Sequence, residues 1–144
     1  MDLTVRRVLI LGCGYTGRAV AELARARGLF VVAHTREPSR AQILREAGFD
    51  VIEQSTLDAG IEKQVDAQTH VIIAFPPDGK TDAIIAPALS AALAISYVSS
   101  TGVYDDVRGH IDDRTPLPAA PSPRAARILA AEQAYRSVGG CILR

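Results

Sequence analysis

Short, continuous aliphatic runs alternate with helical segments along this chain, and that alternation limits the folds open to it more than any other feature. The runs are Arg7–Leu11, residues 30–33, Asp50–Glu53, residues 71–75, residues 95–99 and Cys141–Leu143. Helical patterns occupy residues 18–27, 39–47, 83–94 and 124–136 between them. Strands apolar on both faces and separated by helices imply a parallel sheet covered on both sides. Right-handed crossovers then favour a doubly wound α/β fold of about six strands, with residues 1–144 as one domain.

Within the first helix, Val20, Leu23 and Ala24 share a face, and Gly28 follows as a stop signal. Ser39 is the expected cap of the second helix, with Gly48 as its terminator. Pro76 and Pro77 end the fourth run because neither can continue a ladder. Pro87 must sit early in the helix at 83–94 or kink it. The stretch 105–123, rich in Pro, Asp, Arg and Gly, reads as an irregular loop.

At 48% hydrophobic residues the chain can bury a core, which must be mainly Val, Ile, Leu and Ala because aromatics are few. Sixteen basic and sixteen acidic residues cancel, which argues against a nucleic-acid surface. Cys13 and Cys141 form no CxxC pattern and read as two buried thiols in a reducing compartment. Met1 to Arg7 lacks the layout of a secretory signal. The apolar run 84–98 is interrupted by Pro87, Ser90 and Ser96 and is too short for a bilayer. A cytoplasmic protein with no membrane partner is the expectation.

Residues 12–17 read Gly-Cys-Gly-Tyr-Thr-Gly, the GxGxxG spacing, directly after the first run and before the first helix. In such a turn Gly12 permits the tight bend, Gly14 lets the backbone approach a pyrophosphate, and Gly17 lets helix and strand pack closely. The helix beginning near Tyr15 and Thr16 then offers free N–H groups and its positive dipole end to the anion. The expected ligand is a dinucleotide on a Rossmann-type fold, the alternative being a purely structural turn.

The choice of dinucleotide falls at the end of the second strand, where an NAD site places Asp or Glu for the ribose hydroxyls. Here the residues are Ala33-His34-Thr35-Arg36, then Glu37, with Arg40 close behind. Thr35 has no carboxylate, and Arg36 can fork onto a 2′-phosphate with Arg40 nearby. NADP(H) is favoured over NAD(H). A Glu37 turned inward would favour NAD(H), and arginines that merely solvate the loop would decide nothing.

The fifth strand ends Tyr97-Val98-Ser99-Ser100-Thr101-Gly102-Val103-Tyr104. Together with the glycine turn, this resembles the extended short-chain dehydrogenase/reductase superfamily, the NAD(P)-dependent epimerase/dehydratase group, with its SSxxVYG-like signature. The acidic, proline-rich loop and the helix carrying Glu132-Gln133 are also similar to that family, so the resemblance covers nearly the whole chain. It implies an oxidoreductase-like protein that binds a dinucleotide and a small-molecule substrate. The family's catalytic Ser or Thr falls at Ser100, with Thr101 adjacent.

Three departures stand beside the resemblance. Leu11 takes the first glycine of the family's GxxGxxG pattern. Aligned on Glu132, the family's general-acid tyrosine becomes Arg124 and its lysine becomes Ile128, and no Lys follows Lys80. Without that pair the proton transfer coupled to hydride transfer has no evident agent; Arg127 could supply charge but not a proton. The family's substrate domain follows the sixth strand, where this chain stops, which reads as a truncation.

Ser100 either donates to a substrate carbonyl or satisfies local backbone at the strand end. Tyr104 is expected to pack rather than react. Phe75 and Pro76 should wall the cofactor at the carboxyl edge of the sheet. His34, His70 and His110 are scattered with no metal-ligand spacing, and Asp105, Asp106, Asp112 and Asp113 read as solvated loop carboxylates. Lys80-Thr81 lack the rest of a P-loop. The alanine-rich helices at 83–94 and 124–136 suggest a homodimer. An atypical NADP-dependent enzyme, a non-catalytic NADP(H) sensor or structural module, and an inactive truncated product all remain open.

Overall fold

Six strands, β1 (Arg7–Leu11), β2 (Phe30–Thr35), β3 (Asp50–Glu53), β4 (Thr69–Ile73), β5 (Ala94–Val98) and β6 (Cys141–Leu143), pair in parallel in the computed structural model, which describes residues 4–144. Their order across the sheet is β3-β2-β1-β4-β5-β6. The chain winds outward from β1 to β3, crosses to the other side of β1, and winds outward again to β6. This is the expected doubly wound fold, and its reversal lies between β1 and β4, where such sheets open a crevice at the carboxyl ends of the strands.

Alternation along β1 divides the core. Val8 and Ile10 face α1 (Tyr15–Ala26) and α2 (Pro38–Glu46), packing with Ala21, Ala24 and Leu44. Leu9 and Leu11 face the opposite layer, which contains α3 (Thr81–Ile85), a 3₁₀ turn at Ala86–Leu89 and α4 (Pro123–Arg136). There they meet Ile85, Leu89, Ala131 and Tyr135. Each such aliphatic side chain contributes roughly 1.5–3 kcal/mol by leaving water, so a strand buried on both faces is fixed in register. No helix among the described residues is long and apolar enough to cross a membrane.

Several expected boundaries move. The buried face of α1 is Gly17, Ala21 and Ala24, while Leu23 is 57% exposed. Small residues at the same three-and-four spacing bring the helix nearer the sheet than a leucine face could. Glu37 precedes α2 and Pro38 opens it, so Ser39 is inside the helix and is not its cap. Pro38 suits that first turn because the lost N–H had no helical acceptor. β2 continues through His34 and Thr35, and β4 stops at Ile73, two residues before Phe75.

The helix expected at 83–94 does not form. α3 starts earlier because the Asp78 carboxylate accepts from the N–H groups of Lys80 and Thr81, both at 2.8 Å. It gives way at Ala86–Leu89 because Pro87 cannot continue the α-helical ladder, and Ala94 already belongs to β5. Cys13 is buried as expected, but Cys141, on the edge strand β6, is exposed.

The carboxyl end of β5 is held by a charge cluster around one buried carboxylate. Glu132 of α4 is 0% exposed and accepts from Ser99 Oγ at 2.6 Å. Arg144 forks onto it with Nε at 2.9 Å and Nη2 at 2.8 Å, and Arg136 adds a contact at 3.2 Å. Arg144 Nη1 also donates to Tyr104 Oη at 2.8 Å. Burial pushes the Glu132 carboxyl up, but the bonds from Arg144 and Ser99 and the charges of Arg144 and Arg136 outweigh it and leave the pKa lowered. One turn further along the same buried face of α4, Tyr135 Oη donates to Asp82 at 2.6 Å, tying that helix to α3.

Removing Arg144 takes two charged hydrogen bonds from the buried Glu132, which keeps Ser99 and Arg136. Arg144→Ala should destabilise the fold by about 1.5–3 kcal/mol in urea unfolding, the range for hydrogen bonds to charged groups. Because the folded pKa of Glu132 is depressed, its contribution is present above the ordinary value of 4.5 and is lost as pH falls through the lower folded value. The gap between wild type and Arg144→Ala should therefore shrink in acid. An equal gap at every pH would contradict this.

Candidate functional site

The turn between β1 and α1 is closed by glycine at two points. Gly12 has φ +85°, and a Cβ there would stand 2.7 Å from Phe75 Cβ. A Cβ at Gly17 would stand 2.9 Å from the Gly12 carbonyl oxygen and 3.0 Å from Ile10 Cγ2. Any side chain would push the turn off the helix or off the segment following β4. The first helical bond runs from Arg18 N–H to the Gly14 carbonyl, leaving the N–H groups of Tyr15, Thr16 and Gly17 without an intrahelical acceptor. No side chain caps this end and its first turn holds no acid, an arrangement suited to an external anion.

His34, at the end of β2, braces the turn. Its carbonyl accepts from Cys13 N–H at 2.8 Å, and its Nδ1 accepts from Gly12 N–H at 3.3 Å. Nε2 lies 3.0 Å from the Gln54 carbonyl and must be the donor there. These contacts specify a neutral ring protonated on Nε2, and burial lowers its pKa in the same direction. Burial likewise pushes the neighbouring Cys13 thiol up, against the pull of Arg18 and Arg40, which keeps it from being a ready thiolate.

Two clefts adjoin along the carboxyl edge of the sheet. The first, about 470 Å³, runs from the glycine turn past Arg36 and Arg40 to Ser55 and Leu57 beyond β3. The second, about 440 Å³, lies beyond β5 and α4 and includes Ser99, Ser100, Arg124 and Arg127. Ala74, Phe75 and Pro76 border both, so the two meet at the segment that leaves β4, beside the reversal point, as two halves of a groove. Each is within the size range of small-molecule sites.

Of the residues expected from sequence, Gly12, Gly14, Tyr15, Thr35, Arg36, Arg40, Phe75 and Pro76 line the first cleft. Tyr15 is 96% exposed there, its ring uncovered. Thr16 and Gly17 do not line it: Thr16 is exposed in the first turn of α1, and Gly17 is buried beneath the bend. Thr35 is buried, and its Oγ1 accepts from Glu37 N–H at 3.2 Å. Arg40 is paired with Glu37 at 3.4 Å, whereas Arg36 makes no ion pair among the described residues. Ser100 stands apart, in the second cleft, where its Oγ accepts from Gly102 N–H at 3.0 Å and leaves its own proton to donate.

His34, Ser55, Thr56, Leu57, Asp78 and Thr81 also border the first cleft and were missed as site residues. Ser55 to Leu57 could have been found from topology, since they follow the carboxyl end of β3, on the edge of the sheet along which such ligands lie. Asp78 and Thr81 could have been found as a helix start. Nothing in the local sequence marks His34, whose role depends on its neighbour across the sheet.

The parallel sheet, its reversal point and the acid-free helix end behind a glycine turn define an α/β dinucleotide-binding domain. Residues 12–138 match the profile of a family described as NAD(P)H-binding, and the chain belongs to that family. Among solved structures it is similar to a functionally unknown conserved protein from Silicibacter pomeroyi, with 23% identity, TM-score 0.74, and coverage of 97% of this chain and 52% of that one. It is similar to the Bordetella bronchiseptica enzyme WbmG in complex with NAD, with 21% identity, TM-score 0.74 and coverage of 98% and 52%. A third is UDP-N-acetylglucosamine 4-epimerase from Bacillus cereus, with 18% identity, TM-score 0.65 and coverage of 94% and 57%. The chain thus spans about half the length of these structures, whose fold it shares. No curated protein matches it.

A protonated His34 would turn a second N–H toward that of Gly12. Its depressed folded pKa means that its stabilising contribution is present above the ordinary value of 6.5 and is lost as pH falls through the lower folded value. Stability should drop in that window. His34→Gln should remove the drop assignable to this ring and cost about 1–3 kcal/mol at neutral pH through the unpaired Gly12 N–H. Thermal unfolding across the range checks both. A His34→Gln profile superimposable on wild type would contradict the bracing role.

Proposed function

We propose that this chain is the NADP(H)-binding Rossmann part of an atypical short-chain reductase- or epimerase-like protein of the cytoplasm. The observation that carries the cofactor preference is Arg36, which borders the first cleft with no carboxylate partner among the described residues. Thr35 stands where an NAD site would hold its acid, and its hydroxyl is occupied by backbone. Glu37 reaches the same cleft but is paired with Arg40. On this reading the glycine turn and the free N–H groups at the start of α1, beginning with Tyr15, hold the pyrophosphate, Arg36 and Arg40 take the 2′-phosphate, and Phe75 and Pro76 wall the middle of the groove.

Bound dinucleotide would supply hydride chemistry, and Ser100 would orient a substrate oxygen with its free proton. The family's tyrosine position is Arg124, exposed on α4, and its lysine position is Ile128, buried with Val103 and Tyr104. Tyr97 also borders the second cleft, but burial, with the charges of Asp82 and Glu132, pushes its pKa far above the ordinary value. Tyr97 is thereby not tuned for proton transfer near neutrality. That favours a second reading, a non-catalytic NADP(H) sensor or structural module. A sensor must separate NADPH from NADP⁺ in affinity, because a ligand shifts an equilibrium only by its differential binding. A homodimer through the alanine-rich segments at 83–94 and 124–136 belongs to either reading.

Calorimetric titration with NADPH, NADP⁺ and NADH tests the cofactor reading. NADPH should bind more tightly than NADH, and Arg36→Ala should weaken NADPH roughly tenfold to hundredfold, the worth of a lost charge-assisted hydrogen bond, while hardly affecting NADH. Preferential NADH binding would overturn the phosphate clamp and give Glu37 the ribose hydroxyls instead.

A further inference from the structure

The geometry points to an anion site in the second cleft, built by Arg124, Arg127 and Ser100, that takes a carboxylate or phosphate group of the substrate beside the dinucleotide. This rests on the reading that the groove seats a dinucleotide in its other half. The two arginines lie three apart on α4, so both project from one face near its N-terminal end. A Cβ added at Gly102 would lie 3.1 Å from Ser100 Oγ and 3.6 Å from Arg124 Nε, so hydroxyl and guanidinium share one corner of the cleft. A Cβ at Gly79 would lie 3.7 Å from Arg127 Cδ, so the Arg127 stem packs beside the loop that follows β4, which borders the cleft at Pro76 and Pro77.

The charge in this cleft is one-sided. Its ionisable lining is Arg124, Arg127 and the buried Tyr97, and no carboxylate borders it. Neither arginine makes an ion pair among the described residues, although acidic residues equal basic ones along the chain. Like charges three apart on a helix destabilise it, and an anion between them would reverse that cost. Two guanidinium forks offer planar pairs of donors matched to carboxylate or phosphate oxygens, and Ser100 adds a hydroxyl donor. Arginine does not titrate near neutrality, so the site binds and orients and moves no proton.

The test is amide NMR on the full chain, titrated separately with inorganic phosphate and with acetate at fixed ionic strength, with and without NADP⁺. Saturable shifts at Gly79, Ser100 and Gly102 are expected, with Arg124→Gln and Arg127→Gln each weakening them at least tenfold. Stronger phosphate binding would point to a phosphorylated substrate, and stronger acetate binding to a carboxylate. Shifts that are absent, confined to the Gly12–Gly17 turn, or unaffected by both substitutions would overturn the site. Titration with NADP⁺ alone separates the two ideas. Anion shifts at Ser100 without dinucleotide binding would remove the cofactor reading and leave this site standing, and the reverse would remove only this site.

Discussion

The packing of Gly12 and Gly17 against their neighbours is the constraint on which the site depends. Gly17 presses α1 onto the carbonyl of Gly12 and the side chain of Ile10, and Gly12 meets Phe75 with no space for a methyl group. One turn therefore sets the distance from α1 to the sheet and the position of the segment leaving β4. It also leaves the first N–H groups of α1 facing the reversal point of the sheet. His34 completes the arrangement from the other side, holding the N–H groups of Gly12 and Cys13 with its ring and its carbonyl. Fold and candidate site share these contacts, so disturbing one disturbs the other.

The opposite half of the groove is organised differently. Charge, rather than close backbone packing, fixes the end of β5: the buried Glu132 draws Ser99, Arg136 and Arg144 together, and Arg144 carries Tyr104 with it. Ser100 follows Ser99 directly, so its place in the second cleft depends on that cluster. The same helix presents Arg124 and Arg127 on its exposed side. α4 thus anchors the strand end through its buried face and charges the cleft through its outer one.

Much of this was legible in the sequence because parallel strands buried on both faces are written as continuous apolar runs. β1, β3 and β6 fall where those runs predict. The glycine spacing located the turn, and Arg36 and Arg40 do lie along its cleft. What the pattern hid was settled by local competition or by distant neighbours. Alanine and leucine content predicts a helix over 83–94, but Asp78 starts it early and Pro87 stops it. Leu23 matches a helical period equally well on two faces, and only the close approach at Gly17 decides which face is buried. His34 looked like an isolated ring because its partners, Gly12 and Gln54, come from other strands' ends.

If the glycine turn and the free end of α1 seat a dinucleotide pyrophosphate, the rest of that molecule extends along the groove to both sides of Phe75. A crystal structure of the chain with NADP⁺ measures that most directly. Pyrophosphate oxygens are expected within hydrogen-bonding distance of the N–H groups at the start of α1, the 2′-phosphate against Arg36, and the nicotinamide beyond Phe75 in the cleft of Ser100. A dinucleotide bound elsewhere, or one whose pyrophosphate avoids the Gly12–Gly17 turn, would contradict it.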